Sequence, residues 1–393
     1  MDDLEVVPSC LLQMQLQAAQ LRTRLEPLFQ ENFDKFGEIG AAVSVWQNGK
    51  PIVDLFGGFR DARRERPWTK DTLVLIWSAT KGPAAACLLH VLQEHGIGIE
   101  RRVVEFWPKF ATGGKESITL AQLISHQAGL AALDRKVDIL NYPAVIEAIE
   151  QQRSNWPPGS AHGYHARTFG FLLDELVRRI AGITLSDYWR TTIAEPLGLD
   201  FWIGLPEQKN ARVATMYPPK SGKRPWPEEF YKDVLTKGTF ANRVFNSPAG
   251  LQAVSAMNKP EIRAQPIVSF GGIATANSLA KFYSMLANGG FADEREFFSN
   301  EILHRMTTTL TDGIDRVFQI PTAFSPGFMK DSKQCTRRYF GKSETSFGHP
   351  GAGGSLGFAD PENKLSFAYV MNQMEQSVLP GDKAQRLIDA LYQ

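Results

Sequence analysis

The chain has 393 residues, enough for one large domain or two intertwined ones. Its 43 basic and 42 acidic residues are well mixed and leave a net charge of +1, which excludes the basic footprint of a nucleic-acid binder and a polybasic membrane patch. No run approaches the roughly 18 apolar residues of a membrane-spanning helix.

The first residues, Met1-Asp2-Asp3-Leu4-Glu5, are acidic and lack the basic region and apolar run of a secretory signal. Cys10, Cys87 and Cys335 are scattered, form no metal-type spacing and are odd in number. They are expected to be free thiols in a reducing cytoplasm.

Residues from about Leu12 to Phe33 carry an amphipathic helical pattern. Two strand-like runs, Ala41–Gln47 and Lys50–Gly58, flank Asn48-Gly49, the strongest short hairpin signal. After a charged loop, Leu73-Val74-Leu75-Ile76 leads into Trp77-Ser78-Ala79-Thr80-Lys81 and then a run of small and apolar residues, Ala84–Leu92, with high helix propensity. Ser78 is thus expected near the first turn of a buried helix, with Lys81 one turn along on the same face. A hydroxyl and an amine that close, beside spare backbone N–H groups, are the parts of an acyl-transfer nucleophile.

From Ile99 to about Asn246 the pattern is mostly helical. A short helix is expected after Ile118, capped by Ser117 or Thr119, with further helices over Tyr142–Gln151 and Phe169–Ile183. Tyr217–Lys237 shows no period and reads as a long functional loop. A helix follows from Ser278 to Asn288, and the last ninety or so residues return to sheet. There Ser355–Ala359 and Leu365–Met371 flank Asp360-Pro361-Glu362-Asn363-Lys364, and a final helix covers Asp382–Tyr392. Strands at both ends and helices between them predict an α+β fold: an antiparallel sheet flanked by helices, residues 1–98 and 265–393, with an inserted all-helical domain over 99–264 and the active site at their interface.

Two motifs are decoys. Gly353-Gly354-Ser355-Leu356-Gly357 matches G-x-S-x-G, but a second strand-like run follows the serine and no histidine comes after His349. Ser278-Leu279-Ala280-Lys281 repeats S-x-x-K, yet Ser278 reads as a helix N-cap. Ser78 gains support from Asn155-Trp156-Pro157-Pro158-Gly159, a rigid turn just before Tyr164, because a phenol beside an ammonium can serve as a base. His162 and His165 have no acidic partner at ligand spacing and read as surface or wall residues. In Phe347-Gly348-His349-Pro350-Gly351-Ala352 the glycines let a substrate approach backbone, which could offer an N–H to an oxyanion.

Together these residues resemble the serine β-lactamase and DD-peptidase superfamily, closest to class C β-lactamase-like family VIII carboxylesterases. Ser78-x-x-Lys81 is similar to its first motif, Tyr164 to its second, and His349-Pro350-Gly351 stands where lactamases have Lys-Thr-Gly. Leu123-Ile124-Ser125-His126-Gln127-Ala128-Gly129-Leu130, Glu195-Pro196-Leu197-Gly198-Leu199 and Gly271-Gly272-Ile273-Ala274-Thr275 are similar to further landmarks, in the family's order. The resemblance implies an acyl-Ser78 intermediate, a proton network of Lys81 and Tyr164, an oxyanion site of the Ser78 and Ala352 N–H groups, and no metal or cofactor. It implies substrate contacts from His126, Leu133, His165, His349 and Gly351.

The departures point away from lactams. The family's Tyr-x-Asn is Tyr164-His165-Ala166, the Lys-Thr-Gly cation and hydroxyl become His349 and Pro350, and a polar Gln becomes Leu133. A cytoplasmic esterase for short- to medium-chain uncharged esters is therefore expected. A β-lactamase or peptidase, an acyltransferase, and a non-catalytic binding protein of the same fold are the alternatives.

Overall fold

The computed structural model describes residues 9–220 and 227–393, with side chains from residue 15 onward. The acidic first residues and the side chain of Cys10 lie outside the described residues; Cys87 and Cys335 are free thiols.

In chain order the helices are α1 (Ser9–Asp34), α2 (Lys81–Glu94), α3 (Leu120–Ile124), α4 (Tyr142–Gln151), α5 (Phe169–Ala181), α6 (Leu185–Tyr188), α7 (Glu228–Leu235), α8 (Phe240–Phe245), α9 (Pro260–Arg263), α10 (Ala276–Ala287), α11 (Asn300–Thr307) and α12 (Asp382–Leu391). The strands are β1 (Gly40–Gln47), β2 (Lys50–Gly58), β3 (Val74–Leu75), β4 (Phe201–Ile203), β5 (Gly272–Ala274), β6 (Phe291–Ala292), β7 (Arg295–Glu296), β8 (Thr311–Ile314), β9 (Pro321–Ser325), β10 (Phe328–Lys330), β11 (Phe347–Pro350), β12 (Leu356–Asp360) and β13 (Leu365–Met371).

Eight strands form one antiparallel sheet in the order β2-β1-β13-β12-β11-β10-β9-β8. The N-terminal hairpin turns at Asn48 and Gly49, whose φ values of 52° and 75° are those of the two-residue turn that Asn-Gly favours. β1 then pairs with β13, so the two ends of the chain close one sheet. Every residue of β13 is buried because both faces are covered. Ser366 donates to the Ala280 carbonyl of α10 on one face. Tyr369, of opposite parity, donates to Glu38 on the other, where Glu38 also pairs with Lys383 of α12 at 3.0 Å. That ion pair is at most 1% exposed, which is tolerable because the charges are matched and hydrogen-bonded.

The helical stretch between β3 and β5 is interrupted by β4, which joins them in a three-stranded sheet, β3-β5-β4. This small sheet matters for the site. β5 pairs with β3, and Ile76 N–H donates to the Gly272 carbonyl at 2.9 Å, so the segment leading to Ser78 is held by β5.

Local signals explain most boundaries. Thr119 caps α3 in a reciprocal box with Gln122, and α5 ends at Gly182 with φ 76°. Two expectations need correction. Ser278 does not cap α10. Thr275 does, accepting from Ser278 N–H, while the Ser278 hydroxyl turns to accept from Asp200 N–H at 2.8 Å. Within Tyr217–Lys237, residues 228–235 form helix α7 rather than loop. Pro227 precedes it, Glu228 and Glu229 complement its first turn, and Phe230 is buried against Phe245 and Phe318. Its single turn-and-a-half of apolar residues is too short to stand out as a period. Residues 221–226 of that stretch lie outside the described residues.

Candidate active site

Ser78 lies in a single 3₁₀ turn, Trp77–Thr80, that runs into α2. Trp77 has φ 50°, a strained value for a bulky side chain, and this kink sets Ser78 half-exposed at the head of a buried helix. Thr80 braces the turn. Its hydroxyl donates to the Trp77 carbonyl at 2.5 Å and accepts from Gly272 N–H at 2.9 Å. On the other side, a Cβ on Gly351 would stand 2.1 Å from the Ile76 carbonyl oxygen and 3.3 Å from Ala79 N, so only glycine lets the end of β11 lie against the turn.

Lys81 is fully buried. Its Nζ lies 3.0 Å from Ser78 Oγ, 3.0 Å from the Ala166 carbonyl and 2.7 Å from the Ser269 carbonyl. The two carbonyls converge because the Ser269 hydroxyl clamps the same segment, donating to Arg167 O at 2.6 Å and accepting from Gly170 N–H at 2.8 Å. Burial, with the Arg167 charge nearby, pushes the Lys81 pKa well below the ordinary lysine value. A neutral amine has two N–H groups and one lone pair. With the N–H groups on the two carbonyls, the lone pair faces the Ser78 hydroxyl, which is the geometry of a general base.

Tyr164 joins this pair. Lys81 Nζ lies 4.9 Å from its ring centroid, and its hydroxyl is in polar contact with Ser78. The phenol was expected to be depressed by an ammonium, but the shift runs upward, since burial outweighs the Ser78 contact and Lys81 itself favours the neutral form. Tyr164 is therefore a proton-bearing phenol, suited to giving a proton rather than starting as a phenolate. Its backbone N–H donates to Asp315 at 3.2 Å, and Phe318 stacks on its ring at 4.7 Å.

The histidines surround this centre. His126 is buried with its ring 5.2 Å from Tyr164, and its Nδ1 accepts from His165 N–H at 3.1 Å. Of the surface and wall positions open to His165 and His162, burial of both rules out the surface. His165 Nδ1 donates to Gly163 O at 2.7 Å while Nε2 accepts from Leu130 N–H at 2.8 Å, and His162 sits between the hydroxyls of Thr311 and Thr322. Two partners per ring make such burial affordable. His349 is buried with its ring 5.9 Å from Tyr164, and Nδ1 donates to the Pro350 carbonyl. Burial and the nearby Lys81 push its pKa down to about 3, so the ring is neutral where lactamases have a cation.

Leu133 is buried on the loop after α3, its backbone N–H on Ser247 Oγ at 2.9 Å. Ala352 is exposed directly after Gly351, and its N–H makes no hydrogen bond among the described residues. Ser355, the decoy, lies buried between β11 and β12, immediately before Leu356. Residues that sequence reasoning missed are Thr80, Ser269, Arg167, Asp315 and Phe318. Thr80 lies inside the Ser78-x-x-Lys81 motif and Ser269 just before the Gly271-Gly272 landmark; Arg167, Asp315 and Phe318 carry no signal in their sequence surroundings.

The chain matches the Beta-lactamase family over residues 29–391. It is 32% identical over 369 residues to the esterase/beta-lactamase LipL of Mycobacterium tuberculosis, covering 89% of this chain and 80% of that protein. Among solved structures, a family VIII carboxylesterase superposes with a TM-score of 0.84 at 33% identity, covering 95% of this chain and 97% of the other. A penicillin-binding protein homologue from Caulobacter crescentus gives 0.83 at 33% identity, with the same coverage of 95% and 97%.

Proposed function

From the premise that this chain belongs to the beta-lactamase family of serine hydrolases, we propose that it is a carboxylesterase that hydrolyses short- to medium-chain uncharged esters through an acyl-Ser78 intermediate. The observation that carries this reading is the buried Lys81 amine, 3.0 Å from Ser78 Oγ and otherwise committed to two carbonyls.

In acylation, Ser78 Oγ attacks the ester carbonyl carbon as Lys81 takes the hydroxyl proton. The Ser78 and Ala352 N–H groups receive the negative oxygen. The carbon–alkoxide bond then breaks, and Tyr164 gives its phenolic proton to the departing oxygen and is reprotonated from Lys81. Water repeats the sequence on the acyl-enzyme, releasing the acid and restoring Ser78.

The neutral His349, Ala166 and Leu133 favour esters over lactams, because none offers the cation or amide that a lactam's carboxylate and side chain need. A p-nitrophenyl acetate assay beside a nitrocefin assay tests this. The ester is expected to be preferred by about 100-fold in kcat/KM, with a fluorophosphonate probe labelling Ser78 one-to-one. Faster nitrocefin turnover, or labelling of any other residue, would sink the reading.

A pH profile probes the base. Arg167 is buried, lies 5.3 Å over the Phe270 ring and lowers the Lys81 pKa. Lys81 must be unprotonated to act, so activity falls as pH drops through its pKa. Removing the Arg167 charge raises that pKa, and Arg167→Gln is expected to move the acid limb of kcat/KM to higher pH, while an unmoved limb would separate Arg167 from the base.

A further inference from the structure

The loop joining β8 to β9 carries Asp315, a fully buried carboxylate that the mechanism above does not use. Its Oδ1 accepts three backbone N–H groups: Tyr164 at 3.2 Å, Val317 at 2.7 Å and Phe318 at 2.9 Å. Its Oδ2 accepts from the Thr322 hydroxyl at 3.3 Å, and Thr322 is in turn bonded to His162 Nε2 at 2.9 Å. The same loop returns a second tie, Arg316 N–H to the His162 carbonyl at 3.1 Å. One carboxylate oxygen thus gathers the backbone of Tyr164 and the backbone of Phe318, the residue whose ring stacks on the phenol at 4.7 Å and 26°.

We propose that Asp315 is a positioning residue for proton delivery: by bonding the N–H of Tyr164 and of Phe318 together, it sets the aim of the Tyr164 hydroxyl at the leaving oxygen. The proposal rests on the role given to Tyr164 above. Burial raises the Asp315 pKa, and the nearby His162 and the three N–H donors work against that rise by favouring the ionised, acceptor-only form. Without it, those three donors are buried and unsatisfied, and the loop that carries Phe318 is left with only the Arg316–His162 backbone tie to the Tyr164 segment. Small angular errors in a proton donor cost rate steeply, while substrate binding is untouched.

A leaving-group comparison separates this from a merely structural role. A p-nitrophenolate leaves without help, whereas an ethoxide must be protonated as the bond breaks. Asp315→Ala is therefore expected to lower kcat/KM about thirtyfold on an ethyl ester and less than about threefold on the p-nitrophenyl ester of the same acid. Tyr164→Phe should show the same pattern, and adding Asp315→Ala to it should cost less than about twofold more, since the two act through one proton. Equal losses on both esters, or the full Asp315→Ala factor persisting in the Tyr164→Phe background, would overturn the proposal.

If Asp315→Ala does not fold, Thr322→Val removes the hydroxyl that Oδ2 shares with His162 Nε2 and leaves the three N–H bonds to Oδ1 in place. It should then give a selective loss of about threefold on the ethyl ester, and an unselective loss would overturn the proposal equally. A wild-type protein without ester hydrolysis would instead defeat the functional reading. A wild type that hydrolyses both esters, with Tyr164→Phe selective and Asp315→Ala not, defeats only this inference.

Discussion

Replacing Lys81 by methionine is expected to lower kcat for ester hydrolysis by about 10³–10⁴. Methionine nearly fills the same unbranched channel, so the loss reads chemistry more than packing. What disappears is the one lone pair that faces Ser78 Oγ. Ser78 keeps its half-exposed position on the Trp77–Thr80 turn, but nothing accepts its proton. Lys81→Arg should fare no better, although it supplies a fixed cation, because a guanidinium does not give up its proton in the working range. That comparison is decisive. If Lys81→Arg retained activity within about tenfold of wild type, the residue would be acting as a fixed charge and the base would have to be sought elsewhere. The wild-type pH profile supplies an independent check. Because burial moves the Lys81 pKa well below its ordinary value, the acid limb that reports it belongs well below the usual lysine range, with rate falling as pH is lowered through it.

Gly351→Ala should cost both activity and stability. The added Cβ would meet the Ile76 carbonyl oxygen at 2.1 Å and Ile76 C at 3.2 Å, and both atoms are backbone that β5 already holds in place. Neither can swing aside as a side chain would, so the end of β11 must retreat from the nucleophile turn. Ala352 follows directly, and its N–H moves away from the carbonyl that Ser78 attacks. Loss of one oxyanion donor corresponds to about 10²–10³ in kcat, and overpacking of this kind costs about 1–3 kcal/mol of stability. Paired measurements, kcat on p-nitrophenyl acetate and a urea unfolding curve, check both halves. Unchanged kcat with reduced stability would separate Ala352 from the oxyanion site.

The fold was legible where the signal is local. Asn48-Gly49 marks its hairpin, Tyr142–Gln151 is helical to the residue, Leu365–Met371 is a strand as read, and the strand read as Ser355–Ala359 is Leu356–Asp360, one residue along. Helix α7 was missed because its eight residues hold too few apolar positions to show a period beside Pro, Lys and Tyr. The cap of α10 was misassigned to Ser278 for a related reason. Thr275 and Ser278 are both good caps, and only the backbone path decides which of them precedes the first turn.

For the site, Ser78 and Lys81 could be paired from spacing alone, since three residues along a helical turn bring two side chains together. The sequence also carried Tyr164 and Gly351 as candidates through rigid turns and dense glycine. Protonation was decided only by the tertiary structure. Whether a phenol is lowered by an ammonium or raised by burial depends on what surrounds both, and here Lys81 is fully enclosed and Tyr164 is raised. The same holds for His162 and His165, whose sequence surroundings leave surface and wall positions both open; they are buried because hydroxyls and backbone groups satisfy each ring. Local sequence determines which backbone conformations and neighbouring pairs are available. Dielectric surroundings and hydrogen-bond partners come from segments far along the chain, as when Ser269 O meets Lys81 Nζ across 188 positions, and those are set only once the chain has closed on itself.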